Sequence, residues 1–153
     1  MGSDNTNFKI IAQNKKAGFQ YHIDETIEAG LVLIGSEIKS LRESKASLSD
    51  SYAMIKSGEA FLMNMHISPL AQASVMNHEP KRTRKLLLHK QQIRKLTGKL
   101  KEKGYTLIPI KLYFKKGRAK VELGLCKGKK LFDKRETIKK RETKRAMNRA
   151  LQK

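Results

Sequence analysis

Tryptophan is absent, cysteine occurs once and proline three times in a chain of 153 residues. A lone thiol, Cys126, excludes an internal disulfide framework and any zinc site built from several cysteines. Five Phe and four Tyr are too few for a large stacking platform. No run of eighteen apolar residues occurs, so the sequence offers no transmembrane helix. Residues 1–7 lack the apolar core of a signal peptide, which predicts a cytoplasmic protein. Gly2 and Thr6 fit the loose myristoylation pattern, yet residues 1–80 carry no basic cluster to supply a second membrane anchor. No phosphate-binding glycine loop, dinucleotide fingerprint or nucleophile elbow is present. His22, His66, His78 and His89 have no metal-ligand spacing. The chain therefore reads as a non-enzyme with no cofactor.

Acidic residues are scarce as well, 14 against 34 Lys and Arg, for a formal charge of +20. Such an excess points to a polyanionic partner. It is also unevenly placed. Residues 1–80 hold seven basic and nine acidic side chains, a net of −2, whereas residues 81–153 hold 27 and five, a net of +22. From Lys81 to Lys103 ten basic residues face Glu102 alone. From Lys127 to Lys153 twelve face Asp133, Glu136 and Glu142. A solvated face usually mixes its signs, so these stretches read as binding surface.

The apolar pattern predicts a β protein. Phe19 to Ile23 alternates as a strand, and Asp24 can N-cap a short turn from Glu25 to Ala29. Leu31 to Ile34 is β-branched and apolar, with Gly35 read as a bulge inside a strand continuing to Leu41. Ser57-Gly58 and Lys115 to Arg118 each punctuate a hairpin. Val121, Leu123 and Leu125 alternate with polar residues, as on a strand with one core face. Leu86, His89, Ile93, Leu96 and Leu100 recur at helical spacing and predict one inserted helix, with His89 packed on its apolar stripe. Five or six strands with one helix suggest a small OB-fold-like barrel. Beyond residue 127 high charge and low hydrophobicity predict a basic tail, disordered when free. The expected organisation is a flexible arm at 1–13, a barrel at 14–127 and a tail at 128–153.

Glu28 and Glu37 stand in apolar surroundings and each needs a partner. A structural salt bridge is the plain reading and a contact to an RNA hydroxyl or base edge the sharper one. RNA is favoured over DNA because no helix-turn-helix, zinc-finger or basic-zipper pattern is visible. Three alternatives stand beside this: another ribosome-associated or general RNA-binding barrel, a membrane-surface protein, and an RNA-modifying enzyme.

Several motifs go further. Glu28-Ala29-Gly30-Leu31, Gly35 to Arg42, Asp50-Ser51-Tyr52, Arg82 to Leu88, and Gly128-Lys129-Lys130 with Asp133-Lys134-Arg135 occur in this order, after Asn14-Lys15-Lys16-Ala17. Together they resemble the bacterial small protein B family, the SsrA-binding proteins. The resemblance implies an adaptor that binds the tRNA-like domain of transfer-messenger RNA (tmRNA) and delivers it to stalled ribosomes for trans-translation. Elongation factor Tu would take part indirectly, through the charged RNA. It implies RNA contacts at Glu28 and Leu87, supported by Lys39, Arg84 and Lys85, with His89 where the family often has Asn. Lys15, Lys16, Arg42, Lys129 and Lys130 complete the expected RNA-binding set. The tail residues Asp133, Lys134, Arg135, Ile138, Lys139, Lys140, Arg141, Lys144, Arg145 and Met147 would meet the ribosome at the decoding centre and message channel, folding there as a helix.

Overall fold

The computed structural model of the chain describes residues 8–70, 77–102 and 104–128. Its elements in chain order are β1 (Phe8–Gln13), α1 (Ala17–Gln20), β2 (Tyr21–Leu31), α2 (Gly35–Arg42), β3 (Ala46–Ser47), β4 (Tyr52–Lys56), β5 (Glu59–Met63), β6 (His66–Ile67), β7 (Arg84–Leu87), α3 (Lys90–Leu100), β8 (Tyr105–Lys115) and β9 (Arg118–Gly128). Six strands close a ring in the order β8-β4-β5-β7-β2-β9, with β9 pairing back onto β8 and β1 attached outside β8. The mainly β, OB-like barrel is thus present. Among the described residues no helix is long and apolar enough to cross a membrane.

Both hairpins form where the glycines mark them. Ser57 (φ 53°) and Gly58 (φ 75°) join β4 to β5, and Lys116 (φ 53°) and Gly117 (φ 77°) join β8 to β9. Positive φ at both central residues is the geometry that matches strand twist in a two-residue turn. Val121, Leu123 and Leu125 point into the core with Leu62, Leu86, Leu107 and Leu112. Part of the opposite face of β9 is covered too, where Cys126 packs with Ala17 and Ile108 in a second small cluster. Burial there pushes the Cys126 thiol up to about 11, which leaves it a packing group.

Four local expectations are corrected. Residues 8–13 of the expected arm are a strand, in register with β8 from Phe8↔Lys115 to Gln13↔Lys111. Asp24 caps nothing: β2 runs through it, with a register shift between Ile23 and Glu25 that accommodates an extra residue as a bulge. Residues 35–42 are a helix, because the Glu37 carboxylate accepts the Ile34 N–H (3.0 Å) in the manner of a capping-box acid. Glu37, Ser40 and Leu41 then form its buried stripe. The predicted helix also starts too early. Arg84 to Leu87 is a strand with Arg84 and Leu86 inward, Lys85 and Leu87 outward, and α3 keeps only Ile93, Leu96 and Leu100 of the stripe. His89 is exposed and stands at the helix N-cap, where its N–H donates to Gln92 Oε1 (2.9 Å).

One polar cluster sits inside the apolar ring. Glu37 and Arg84 are both fully buried, 2.5 Å apart. Arg84 also donates to the Met65 carbonyl (2.6 Å) and the Pro80 carbonyl (3.2 Å), and Arg82 adds a 2.7 Å bond to Glu37. His78 bridges Ser36 Oγ and the Ile67 carbonyl, each at 2.9 Å. Burial alone would raise the Glu37 carboxyl, but the Arg82 bond, the Ile34 N–H and the Arg84 charge hold it below its ordinary value of 4.5. A group depressed in the folded state stabilises above its unfolded value and loses that contribution as the pH falls through the folded one. Glu37→Gln should therefore cost about 3–5 kcal/mol in urea unfolding at pH 7, as for other broken buried pairs. The difference from wild type should shrink as the pH drops below 4.5. A gap unchanged at low pH would mean that the ion pair is not its source.

Candidate RNA-binding groove

The barrel surface carries a groove where β7, β2 and β9 lie side by side. Gly30 on β2 stands opposite Leu87 on β7 and opposite Lys120 on β9. The groove has a volume of about 360 Å³, with Gly30, Val32, Ile38, Leu87, Phe114 and Lys120 among its lining. Its floor exists because position 30 has no side chain. A Cβ there would lie 3.3 Å from Leu87 Cβ and 3.7 Å from Lys120 Nζ. Leu87 is 54% exposed, an unusual value for a leucine on a strand, and Val32 and Ile34 beside it are exposed as well.

The rim is charged and ordered. Glu28, two residues along the same face of β2, accepts a 2.5 Å hydrogen bond from Tyr113 Oη and lies 3.6 Å from Lys115 Nζ. The Tyr113 bond, helped by Lys115 and Lys120 and opposed by partial burial, holds the Glu28 carboxyl below its ordinary range. Burial and the facing Glu28 carboxylate push the Tyr113 phenol well above its own. Glu28 is therefore an ionised acceptor held in one orientation at neutral pH. An apolar contact flanked by a fixed acceptor and a lysine suits an unpaired nucleotide: the leucine meets a base or sugar face, the carboxylate takes an amino or hydroxyl proton, and the ammonium takes a phosphate.

The expected contact residues are distributed unequally. Glu28 and Leu87 come together at this groove. Lys85 is exposed on the outward face of β7 and pairs with Glu59 at 3.6 Å. Lys39 and Arg42 are exposed on α2, whose Ile38 lines the groove. Arg84 is corrected outright: with no exposed surface and its guanidinium occupied by Glu37 and two carbonyls, it cannot touch RNA in this fold. Lys15 and Lys16 lie elsewhere. Lys16 lines a separate polar groove with Asn14, Asp50 and Tyr52, so two of the motifs read from the sequence meet there. Lys129, Lys130 and the tail set from Asp133 to Met147 lie outside the described residues. Lys120 was not foreseen. Only the pairing of β9 with β2 brings it beside Gly30, and strand order is not written in any short motif. Among the described residues no group of three or more His, Cys, Asp and Glu could hold a metal ion.

Titrating the carboxyl carbon of Glu28 by NMR should give a midpoint below 4.5, and Tyr113→Phe should move it upward, because the largest lowering cause is removed. A midpoint indifferent to that substitution would show that the carboxylate is not held by the phenol.

A family model described as SmpB protein matches residues 11–153. The SsrA-binding protein of Geobacillus kaustophilus (strain HTA426) is 61% identical over 142 residues, covering 93% of this chain and 92% of that protein. The SsrA-binding protein of Trichodesmium erythraeum (strain IMS101) is 58% identical over 144 residues, with coverage of 94% and 92%. A solved chain described as "tmRNA-SmpB: a journey to the center of the bacterial ribosome" superimposes with a TM-score of 0.66 at 48% identity, covering 78% of this chain and 84% of its own.

Proposed function

The chain belongs to the SmpB protein family, and on that footing we propose that it is an RNA-binding adaptor that takes the tRNA-like domain of tmRNA to stalled ribosomes for trans-translation. Relatives at 58% and 61% identity carry the name SsrA-binding protein, and the description of the superimposed chain names tmRNA-SmpB and the bacterial ribosome. The observation that carries the site is Leu87, a strand leucine left over half exposed between an oriented carboxylate and a lysine. That arrangement supports a role for the groove in gripping an unpaired loop of the tRNA-like domain. Leu87 makes the apolar contact, Glu28 accepts a proton donor from base or ribose, and Lys120 with Lys85 and Lys39 neutralises phosphate. The adaptor brings recognition and placement, and we assign it no reaction and no cofactor.

The tail fits the second half of the task. Residues 127–153 carry twelve basic and three acidic side chains, a net of +9. Ordering such a segment costs roughly 1–2 kcal/mol per residue in backbone entropy, so it needs a polyanion to fold on. An empty message channel lined by ribosomal RNA supplies one, and a message already in the channel takes the same space. Selectivity for stalled ribosomes then follows by exclusion. An adaptor acting on ribosomes would work in the cytoplasm.

A competition gel shift in about 0.2 M salt, which suppresses purely electrostatic binding, tests this. The tRNA-like domain should be retained against mature alanine tRNA and an unstructured RNA of equal length. Deleting residues 136–153 should leave that binding intact and abolish tagging on stalled ribosomes. Equal competition by all three RNAs would reduce the protein to a general RNA-binding barrel.

A further inference from the structure

We infer that Glu37, which touches neither solvent nor RNA, is a positioning residue for the groove: acting through Arg82 and Arg84, it sets where Val32 and α2 stand relative to Leu87. The inference deepens the reading above and rests on the groove being the site for the tRNA-like domain.

The need for such a device comes from the sheet. Strands β2 and β7, whose junction is the groove floor, share only two register pairs, Gly30↔Leu87 and Leu31↔Leu86. The neighbouring β2–β9 junction has nine. Past Leu31 a single backbone bond continues the β2–β7 seam, from Val32 N–H to the Lys85 carbonyl (3.0 Å). The rest is done by side chains. Arg82 Nη2 donates to the Val32 carbonyl (3.4 Å) and to Glu37 Oε1 (2.7 Å). The same Oε1 accepts the Ile34 N–H (3.0 Å). Oε2 accepts Arg84 Nε (2.5 Å), three residues before Leu87 on its strand. One carboxylate thus ties the groove wall at 32–34, the helix carrying Ile38 and the strand carrying Leu87. A binding surface fixed in advance avoids the ordering cost of association, so loosening this latch should weaken binding without removing any contact.

Arg82 gives the sharper test, because Glu37 and Arg84 keep each other when it is changed. For full-length R82Q, affinity for the isolated tRNA-like domain of tmRNA should fall about tenfold, equivalent to 1.4 kcal/mol. The slope of log affinity against log salt should stay unchanged. In an L87A background R82Q should cost nothing further, the signature of two residues acting as one unit. In the free protein, amide exchange at Val32 should quicken. If R82Q does not fold, R82K carries the same readouts, since it keeps the charge and loses the fork that reaches both Val32 and Glu37. Undiminished affinity despite faster Val32 exchange would overturn the inference. So would a salt slope lowered by about 0.7–0.9, the mark of a lost phosphate contact, or an equal loss with and without Leu87. If wild type shows no preference for the tRNA-like domain over alanine tRNA, the functional reading fails instead. Unchanged Val32 exchange in R82Q would then overturn the latch by itself.

Discussion

A carboxylate and a guanidinium share the interior of this barrel, and the packing around them depends on their staying together. Taking either ion from water alone would cost several kcal/mol. The pair is tolerable because its hydrogen-bonding capacity is spent: Arg84 reaches Glu37 and two backbone carbonyls, while Glu37 takes two arginines and a backbone N–H. No buried side-chain polar atom among the described residues is left without a partner. The pair also does what leucines of equal volume could not. It is directional, so it fixes the first turn of α2, the strand β7 and the loop before it in one arrangement.

The same pair explains which parts of the fold were legible. The two hairpins were readable from Ser57-Gly58 and Lys116-Gly117, since their turn chemistry is local. The core face of β9 was readable because Val121, Leu123 and Leu125 alternate with polar neighbours. Strand β7 was not, because its inward residues are Arg84 and Leu86, and an arginine in the core hides a period of two. Helix α2 failed for the mirror reason: its buried stripe begins with Glu37 and Ser40, which read as surface. At the site, Glu28 and Leu87 were reachable through family motifs and Lys120 was not. Its role follows from which strand lies beside which, and pairing between residues 30 and 120 leaves no trace in either segment.

Within a chain so rich in cations, the acid at position 28 has a particular value. Lysines attract every phosphate alike, so they supply strength and little choice. A fixed carboxylate repels phosphate and rewards only a proton donor placed at its own position. Tyr113 and Lys115 together fix where it stands, and Gly30 leaves the floor beside Leu87 open. In the proposed reading, selectivity comes from the few groups that are not basic.

Strand β9 links the groove to the start of the basic tail, and it does so as a ruler. Lys120 stands at the groove and Gly128 at the far end of the strand, eight residues on, which at roughly 3.3 Å per residue is about 26 Å. Both long neighbours hold that strand in register, β2 from Tyr21↔Gly128 to Gly30↔Lys120 and β8 from Tyr105↔Lys127 to Lys115↔Arg118. The distance from the groove to the end of the barrel at Gly128 is therefore a property of three strands at once. A residue inserted or deleted in β9 and not absorbed as a bulge would turn its core face outward, so the register of all three strands sets where the chain leaves the barrel at Gly128.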